Sequence, residues 1–325
     1  MKDIKRNIHK IIFWLNCARV YSLPITILSW LVAFIYSLKH QGSILAGIIC
    51  LIGISLVHMA TNLIDDYFDY KILTKDEKYM NSAQNCKCAY LKNKQASIKD
   101  LRNAIIIFLA LAAITGGILF FMSGPYVILL AIIALIIAFI YQRLSIIGLG
   151  EFAVIIAYGP LMFEGIYYVM TKTFSKEIFI LSFACALFTN TILYAHMLMD
   201  FDGDECSHKI TLCRKLKTKN NALNFILVFY ISSYILVGVI AQRTHNEWFF
   251  LTFLTIPLIL DLYNSLKQYN KEKTKLPHIY PWHYPLDNWE KIKNTPEASF
   301  YFRFFYSRNI VTLFMLLACI AILIG

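Results

Sequence analysis

Apolar residues gather along this chain in runs of roughly 18 residues or more, the length that crosses a hydrocarbon core as a helix. The runs lie near 20–38, 44–66, 103–122, 125–142, 150–170, 178–200, 222–241, 248–267 and 305–325. They predict an all-α polytopic membrane protein of about nine transmembrane helices, read as a single domain over 1–325. The polar intervals between them are unequal. "MSGP" (122–125) and "RTHN" (243–246) are just long enough to turn, whereas 67–102, 201–221 and 268–304 are extended. The last of these contains "PHIYPWHYPLDNW", rich in Trp, Tyr and Pro like a segment lying at headgroup depth. "MKDIKRNIHK" opens the chain with basic charge. It leads into no short apolar core with a small-residue cleavage site, so no cleavable signal is expected.

Composition agrees, and charge adds a direction. The chain is 58% hydrophobic and 16% charged, where a soluble domain carries about a quarter charged residues. Lys2, Lys5, Arg6 and Lys10 precede the first run, and the three extended intervals hold most of the remaining Lys and Arg. The opposite loops hold only Lys39, Lys172, Lys176 and Arg243. By the positive-inside bias the N-terminus and the extended intervals face the cytoplasm, as in a bacterial inner membrane. That bias, with attraction to anionic headgroups, accounts for the net charge of +11 without a nucleic-acid partner. The eight cysteines are scattered, which argues against a disulfide framework. "CKC" (86–88) lacks the second paired cluster of a zinc site.

Two runs end in carboxylates, where hydrocarbon penalises acid and the inner loops favour base. The second closes on "NLIDDYFDY" (62–70) and the sixth on "MDFDGDE" (199–205). His58, Asn62 and Asp66 are spaced by four, as are His196, Asp200 and Asp204. At 3.6 residues per turn each triplet lies within about 80° of one helix face, and Asp69 returns to within about 20° of Asn62. Asp202 points nearly opposite to Asp200 and Asp204. Two facing carboxylate sets need a cation between them. Mg²⁺ takes oxygen ligands, uses one or two carboxylates and completes its shell with water and phosphate oxygens. Lys71 follows the first block, and Lys209, Arg214 and Lys215 follow the second, as an anion site requires. A diphosphate head on a greasy tail fits such a cradle at the mouth of an apolar bundle.

These stretches resemble the UbiA superfamily of intramembrane prenyltransferases. "NLIDDYFDY" is similar to its first Asp-rich motif and "DFDGD" (200–204) to its second. The branch most resembled is the 1,4-dihydroxy-2-naphthoate prenyltransferases of menaquinone synthesis. "ARVYSLP" (18–24) resembles its "ARPxSLP", and "GLGE" (148–151), "YGP" (158–160) and "GIYYVMT" (165–171) follow its fifth-helix pattern. "KITLCRKL" (209–216) resembles its "GKRTLAVRLG". The resemblance implies nine helices bundled around a cavity open to the cytoplasm, with Mg²⁺ held by Asn62, Asp66, Asp69, Asp200 and Asp204. Of these, Asp66, Asp69, Asp200 and Asp204 form the expected catalytic set. Substrate contacts are expected from Asn62, Lys209, Arg19, His58, His196, Tyr141 and Glu151. Lys209 is placed on the diphosphate, Arg19 on the diphosphate or an acceptor carboxylate, and Glu151 in a structural or acceptor-facing role.

The resemblance also implies the reaction. A polyprenyl diphosphate would lose diphosphate to give an allylic cation, shielded from water and attacked by a phenolic or naphthoic ring, with membrane lipid around the tail. No obligate protein partner is evident. The chain departs from the branch in carrying His196, Met197, Leu198 and Met199 where Asn-Asn-x-Arg is usual, and Glu164 where an apolar residue is usual. Other acceptors (4-hydroxybenzoate, homogentisate, haem B), a cation transporter and a non-catalytic lipid-binding protein are the alternatives. A transporter predicts polar residues continuing through the bundle, yet the outer halves are nearly all Leu, Ile, Ala and Phe apart from Glu164.

Overall fold

A computed structural model describes the backbone of residues 2–73, 88–206 and 210–325, and the side chains of 8–71, 88–141, 143–203 and 210–325. Among the described residues the regular elements are all helical, with no strand. Helix α1 (Lys2–Cys17) precedes α2 (Leu23–Lys39) and α3 (Ile44–Leu73). A short α4 (Ala89–Lys92) leads to α5 (Ile98–Ser123) and α6 (Tyr126–Ile146). Helix α7 (Gly150–Ile156) joins α8 (Met162–Thr171) through a π turn at Ala157–Leu161. Helix α9 (Lys176–Met199) is followed by the short α10 (Phe201–Cys206) and α11 (Leu212–Lys215). Then come α12 (Lys219–Thr244), a 3₁₀ stretch Glu247–Thr255 running into α13 (Ile256–Lys271), the short α14 (Trp289–Ile292) and α15 (Ala298–Ile324).

Among the described residues eight helices are long and apolar enough to cross a membrane. The expected fourth span corresponds to the shorter apolar stretch Tyr126–Tyr141 within α6. Three differences from the hydrophobic pattern matter for the site. Helix α3 does not stop at residue 66 but carries its whole acidic block as helix to Leu73. The interval 67–102 contains α4, and α1 forms a helix that the apolar runs do not announce.

Polar side chains set where the helices begin and how they pack. Ser97 and Asp100 form a reciprocal capping box at the start of α5, with N–H···O distances of 3.1 and 3.0 Å. Thr218 and Ser175 cap α12 and α9. Between helices, hydroxyls donate to main-chain carbonyls: Ser123 to Val169 at 2.6 Å, Ser233 to Ala184 at 2.7 Å and Tyr194 to Ala222 at 2.8 Å. Such bonds suit a lipid solvent, where apolar surface alone gives helices no reason to associate. The core adds the Phe188 and Phe314 rings, stacked 3.8 Å apart between α9 and α15. Gly159, in the π turn, lies so close to α9 that a Cβ there would stand 2.8 Å from that of Ala186.

Arg303 is fully buried in α15, and among the described residues no ion pair joins it to a carboxylate. Its guanidinium donates to the carbonyls of Ser265, Ser299 and Lys275 at 2.8, 2.7 and 3.2 Å and lies over the Tyr269 ring. A charge that deep stays only because each guanidinium nitrogen finds an acceptor. It ties α13 and the segment after it to α15. Asn309 holds the aromatic interval in place by donating to the carbonyls of His283 and Pro285, both at 2.8 Å.

Candidate active site

Helix direction places the two acidic blocks at one end of the bundle. The Ser43 amide donates to the Met170 carbonyl at 2.9 Å, so α3 starts beside the end of α8, and α9 starts from that same end after the link 172–175. At 1.5 Å per residue, α3 then advances ~33 Å to Asp66 and α9 ~36 Å to Asp200. The sequence expectation that the blocks share a side and a depth agrees with this path.

The first block is buried and already paired. Asp66 is fully enclosed. Its Oδ1 accepts a hydrogen bond from the Arg19 guanidinium and its Oδ2 one from the Tyr90 hydroxyl at 3.0 Å. Arg19 also donates to Asn62 Oδ1 at 3.3 Å and lies 3.9 Å from Asp65. Asn62 in turn donates to the Ala18 carbonyl at 3.0 Å. The turn that presents Arg19 is left-handed, with φ 58° and ψ 50°, a conformation uncommon for a residue bearing a Cβ. Its acidic neighbours on α3 hold it there. Burial works against the guanidinium charge, and Asp66 followed by Asp65 more than restores it. Burial first, then the facing Asp66 carboxylate, pushes the Tyr90 phenol far above its usual range and keeps it a donor. Cys88, from the "CKC" stretch, is buried and donates to the Asp66 carbonyl at 3.4 Å.

One turn deeper than Asn62, His58 is enclosed by polar groups from two other helical elements. Ser22 Oγ lies 2.9 Å from Nε2, while Thr26 Oγ1 and the Tyr158 hydroxyl lie 2.6 and 2.9 Å from Nδ1. Ser22 Oγ donates to the Arg19 carbonyl at 2.7 Å, so it is free to accept from an Nε2 proton. That assigns the proton to Nε2 and leaves Nδ1 as acceptor. The imidazole thus locks the Arg19 turn to α3 and to the π turn between α7 and α8.

The second block is open. Asp200 caps the C-terminus of α9, and its side chain is 48% exposed. His196 Nδ1 lies 3.4 Å from Asp200, and the ring meets Phe300 and Phe304 edge-on at 5.1 and 6.0 Å between centroids. Asp202 faces away, as its spacing predicts, and takes ion pairs from Lys219 at 2.7 Å and Lys273 at 2.8 Å. Those two ammonium groups hold the Asp202 carboxyl below the usual carboxylate range. The side chain of Asp204, and Lys209 altogether, lie outside the described residues.

The remaining expected residues divide. Glu151 is buried and accepts the Leu212 amide of α11 at 3.2 Å, so it anchors the segment after the second block. Tyr141 and Asp69 are half-buried near the end of α6 and on α3. Lys71 lies 4.4 Å over the Tyr67 ring and Arg214 4.9 Å over Phe201, so one base after each block packs on an aromatic face. Sequence reading missed Asp65, Tyr90, Ser22, Thr26 and Tyr158 as members of the cluster. Ser22 and Thr26 carry a signal, a spacing of four on the element facing His58. Tyr90 carries none.

A divalent cation is tested by its donors. Asn62, Asp65, Asp66, Asp69 and Asp200 offer oxygen alone, which suits a hard ion such as Mg²⁺. Among the described residues no three acidic, His or Cys side chains already form a metal-sized group. A Mg²⁺ that takes phosphate oxygens and water needs fewer protein ligands than that. The donor chemistry fits.

Comparison with known proteins identifies relatives over most of the chain. The profile of the UbiA prenyltransferase family matches residues 22–280. A 1,4-dihydroxy-2-naphthoate octaprenyltransferase of Haemophilus influenzae is 22% identical over 279 residues, covering 80% of this chain and 87% of that protein. Its counterpart from Escherichia coli is 24% identical, covering 76% and 82%. UbiA prenyltransferase domain-containing protein 1 of Danio rerio is 24% identical, covering 71% and 68%. Among solved structures, a UbiA homologue from Aeropyrum pernix K1 superposes with a TM-score of 0.64 at 14% identity, over 92% of this chain and 97% of that one. A digeranylgeranylglyceryl phosphate synthase gives 0.63 at 15%, over 98% and 100%.

Proposed function

The chain belongs to the UbiA prenyltransferase family and is a multi-pass membrane enzyme; from that premise we propose that it moves a polyprenyl group from a polyprenyl diphosphate to an aromatic acceptor. The acceptor proposed is 1,4-dihydroxy-2-naphthoate: the prenyl group takes the place of the ring carboxyl, which leaves as CO₂ while diphosphate is released, giving demethylmenaquinone in its hydroquinone form. Two relatives that bear that acceptor in their names, together with the "GLGE" and "SLP" stretches, support the choice. The observation that carries the reading is the enclosed Arg19–Asn62–Asp65–Asp66 cluster at the same end of the bundle as Asp200.

In this reading Asn62, Asp66, Asp69, Asp200 and Asp204 hold Mg²⁺, with Lys209 on the diphosphate. The bound ion supplies charge neutralisation that makes diphosphate a better leaving group. Each side chain has a task suited to its setting. Tyr90 and Arg19 fix the rotamer of Asp66, so its oxygens are oriented before a ligand arrives. Arg19 brings a delocalised cation suited to phosphate or carboxylate oxygens. Asp200 sits at the negative end of the α9 dipole, where a cation is favoured. His196 stands between Asp200 and the Phe300 and Phe304 rings, the place proposed for an acceptor ring beside the donor head. His58, with Tyr158 and Thr26, closes the deep side, and Tyr141 is proposed to face the tail. We place the acidic end toward the cytoplasm, on the basic-loop bias.

Membranes containing the protein, labelled prenyl diphosphate, Mg²⁺ and a panel of phenolic acids test this. One labelled lipid product that depends on 1,4-dihydroxy-2-naphthoate is expected. Labelled product from another acceptor alone reassigns the substrate, and none with any acceptor refutes the reaction.

A further inference from the structure

The polar end of α13 carries a basic cavity that the proposed reaction does not use. One face of this helix changes character along its length. Ile256 and Leu260 are exposed and aliphatic, and Asn264, Lys267 and Lys271 follow them, exposed, within about 80° of the same face. In a spanning helix such a change marks where hydrocarbon ends and headgroups begin. Asn264 stands ~6 Å and Lys267 ~10 Å beyond Leu260, at or just past a headgroup layer about 5–8 Å thick. The aromatic interval gives the same level. Trp282 donates to Asp261 at 3.4 Å and its ring stacks on Tyr280 at 4.4 Å and 10°, both rings being exposed. Exposed Trp and Tyr collect at that boundary.

The cavity measures about 430 Å³ and lies between α13 and the chain that follows it. Among the described residues its walls carry the ammonium groups of Lys267, Lys271 and Lys275, the amides of Asn264 and Gln268, and one carboxylate, Asp261. Asp261 Oδ2 is already committed to His283 at 2.8 Å and to the Tyr306 hydroxyl at 3.1 Å. Other bases near this corner are neutralised, Lys219 and Lys273 by Asp202 and Lys293 by Glu290. Lys267 and Lys271 form no ion pair among the described residues, and Lys275 approaches the exposed Glu272 only to 3.8 Å. One turn apart on a helix, Lys267 and Lys271 repel each other. The walls are also braced. Arg303 donates to the Ser265 carbonyl of α13 at 2.8 Å and to the Lys275 carbonyl of the facing wall at 3.2 Å, and Ser299 donates to Lys275 as well, at 3.0 Å. Three uncompensated cations are thus held around one cavity at the bilayer surface.

We infer that this cavity binds the phosphate headgroup of an anionic phospholipid. Lys267, Lys271 and Lys275 surround the phosphate, the Asn264 and Gln268 amides donate to headgroup oxygens, and the acyl chains descend over Leu260 and Ile256. A lipid suits the cavity better than a soluble anion, because the aliphatic face and the exposed aromatic rings adjoin it at the depth of lipid phosphates. None of these residues belongs to the acidic blocks, so the site stands apart from the prenyl-transfer reading.

Native mass spectrometry of the full chain in detergent, with phosphatidylglycerol or phosphatidylcholine of the same acyl chains, tests the site. Each affinity is expressed as the glycerol-to-choline lipid ratio, so that the folded fraction cancels. The wild type is expected to prefer phosphatidylglycerol by at least about fivefold, the worth of one basic residue at a lipid surface. Lys267→Gln with Lys271→Gln is expected to cut that ratio at least threefold. Lys94→Gln with Lys99→Gln, which removes the same charge from exposed lysines elsewhere, is expected to cut it less than the site variant does. sn-Glycerol 3-phosphate in tenfold excess over lipid is expected to leave phosphatidylglycerol bound. No preference in the wild type, a smaller cut in the site variant, or a cut in the control variant as large as at the site overturns the inference. So does displacement by sn-glycerol 3-phosphate, which would assign the cavity to soluble phosphates.

Discussion

The two acidic blocks have matching spacing in sequence and opposite settings in the folded chain. Asp66 is sealed beneath α4 and the Arg19 turn, its charge balanced before any ligand is present. Asp200 stands at a helix end with half its side chain exposed. A repeat of His, then a carboxylate or amide, then another carboxylate reports which face a helix presents. It does not report whether that face is buried. One block is built to be rigid and the other to be reachable, which is what a site needs that admits a diphosphate and then orients it.

The largest effect expected from that contrast is at Asp66. Asp66→Ala leaves the half-buried Arg19 with only Asn62 and the more distant Asp65, at a cost of about 2–3 kcal/mol, and also abolishes transfer. Asp200→Ala abolishes transfer as well, but with a stability change within about 0.5 kcal/mol, as for an exposed site. Thermal unfolding in detergent beside a product assay separates the two; equal destabilisation would erase the distinction between the blocks. Next comes the coupling of Arg19 to Asp66. In a double-mutant cycle with Arg19→Ala, the combined loss should fall short of the sum by about 1–3 kcal/mol. Additive losses would mean that the pair does not act as a unit.

Tyr90→Phe removes one buried hydrogen bond and should cost about 1–2 kcal/mol. A transfer rate reduced without loss of the protein's insertion would fit a positioning role for Tyr90. The smallest effect is at Asp202, whose partners Lys219 and Lys273 are partly exposed. Its carboxyl titrates lower in the folded chain than in the unfolded one. Its stabilisation is therefore present above the unfolded value near pH 4 and is lost as pH falls through the folded value. With about half of the side chain in solvent, less than about 1 kcal/mol is involved. Unfolding midpoints of Asp202→Asn and the wild type should converge on acidification, and Asp202→Asn should transfer at the wild-type rate.

Much of this was legible in the chain. Apolar runs mark the spanning helices because a bilayer imposes length and hydrophobicity together, and the four-residue spacing marks the faces of α3 and α9. What was not legible depends on contacts distant in sequence. Helix α1 has Phe13 and Trp14 edge-on to Tyr90 at 6.1 and 6.0 Å, and through it backs Asp66. A short amphipathic helix leaves no 18-residue apolar signal. Tyr90 sits in a polar interval whose fold only the partner reveals. Glu151 and Arg19 each admitted two roles by pattern, and geometry divides them: Glu151 is bonded to α11, whereas Arg19 remains at the site. Arg303 escaped notice because its partners are main-chain carbonyls, which no side-chain motif encodes.

The joint role of the two blocks is tested most directly by the binding of a non-hydrolysable prenyl thiodiphosphate to the purified protein, with Mg²⁺ and then with EDTA. Tight binding that requires Mg²⁺, and is weakened at least a hundredfold in both Asp66→Ala and Asp200→Ala, is the predicted result. Undiminished affinity in EDTA, or in either variant, would contradict it.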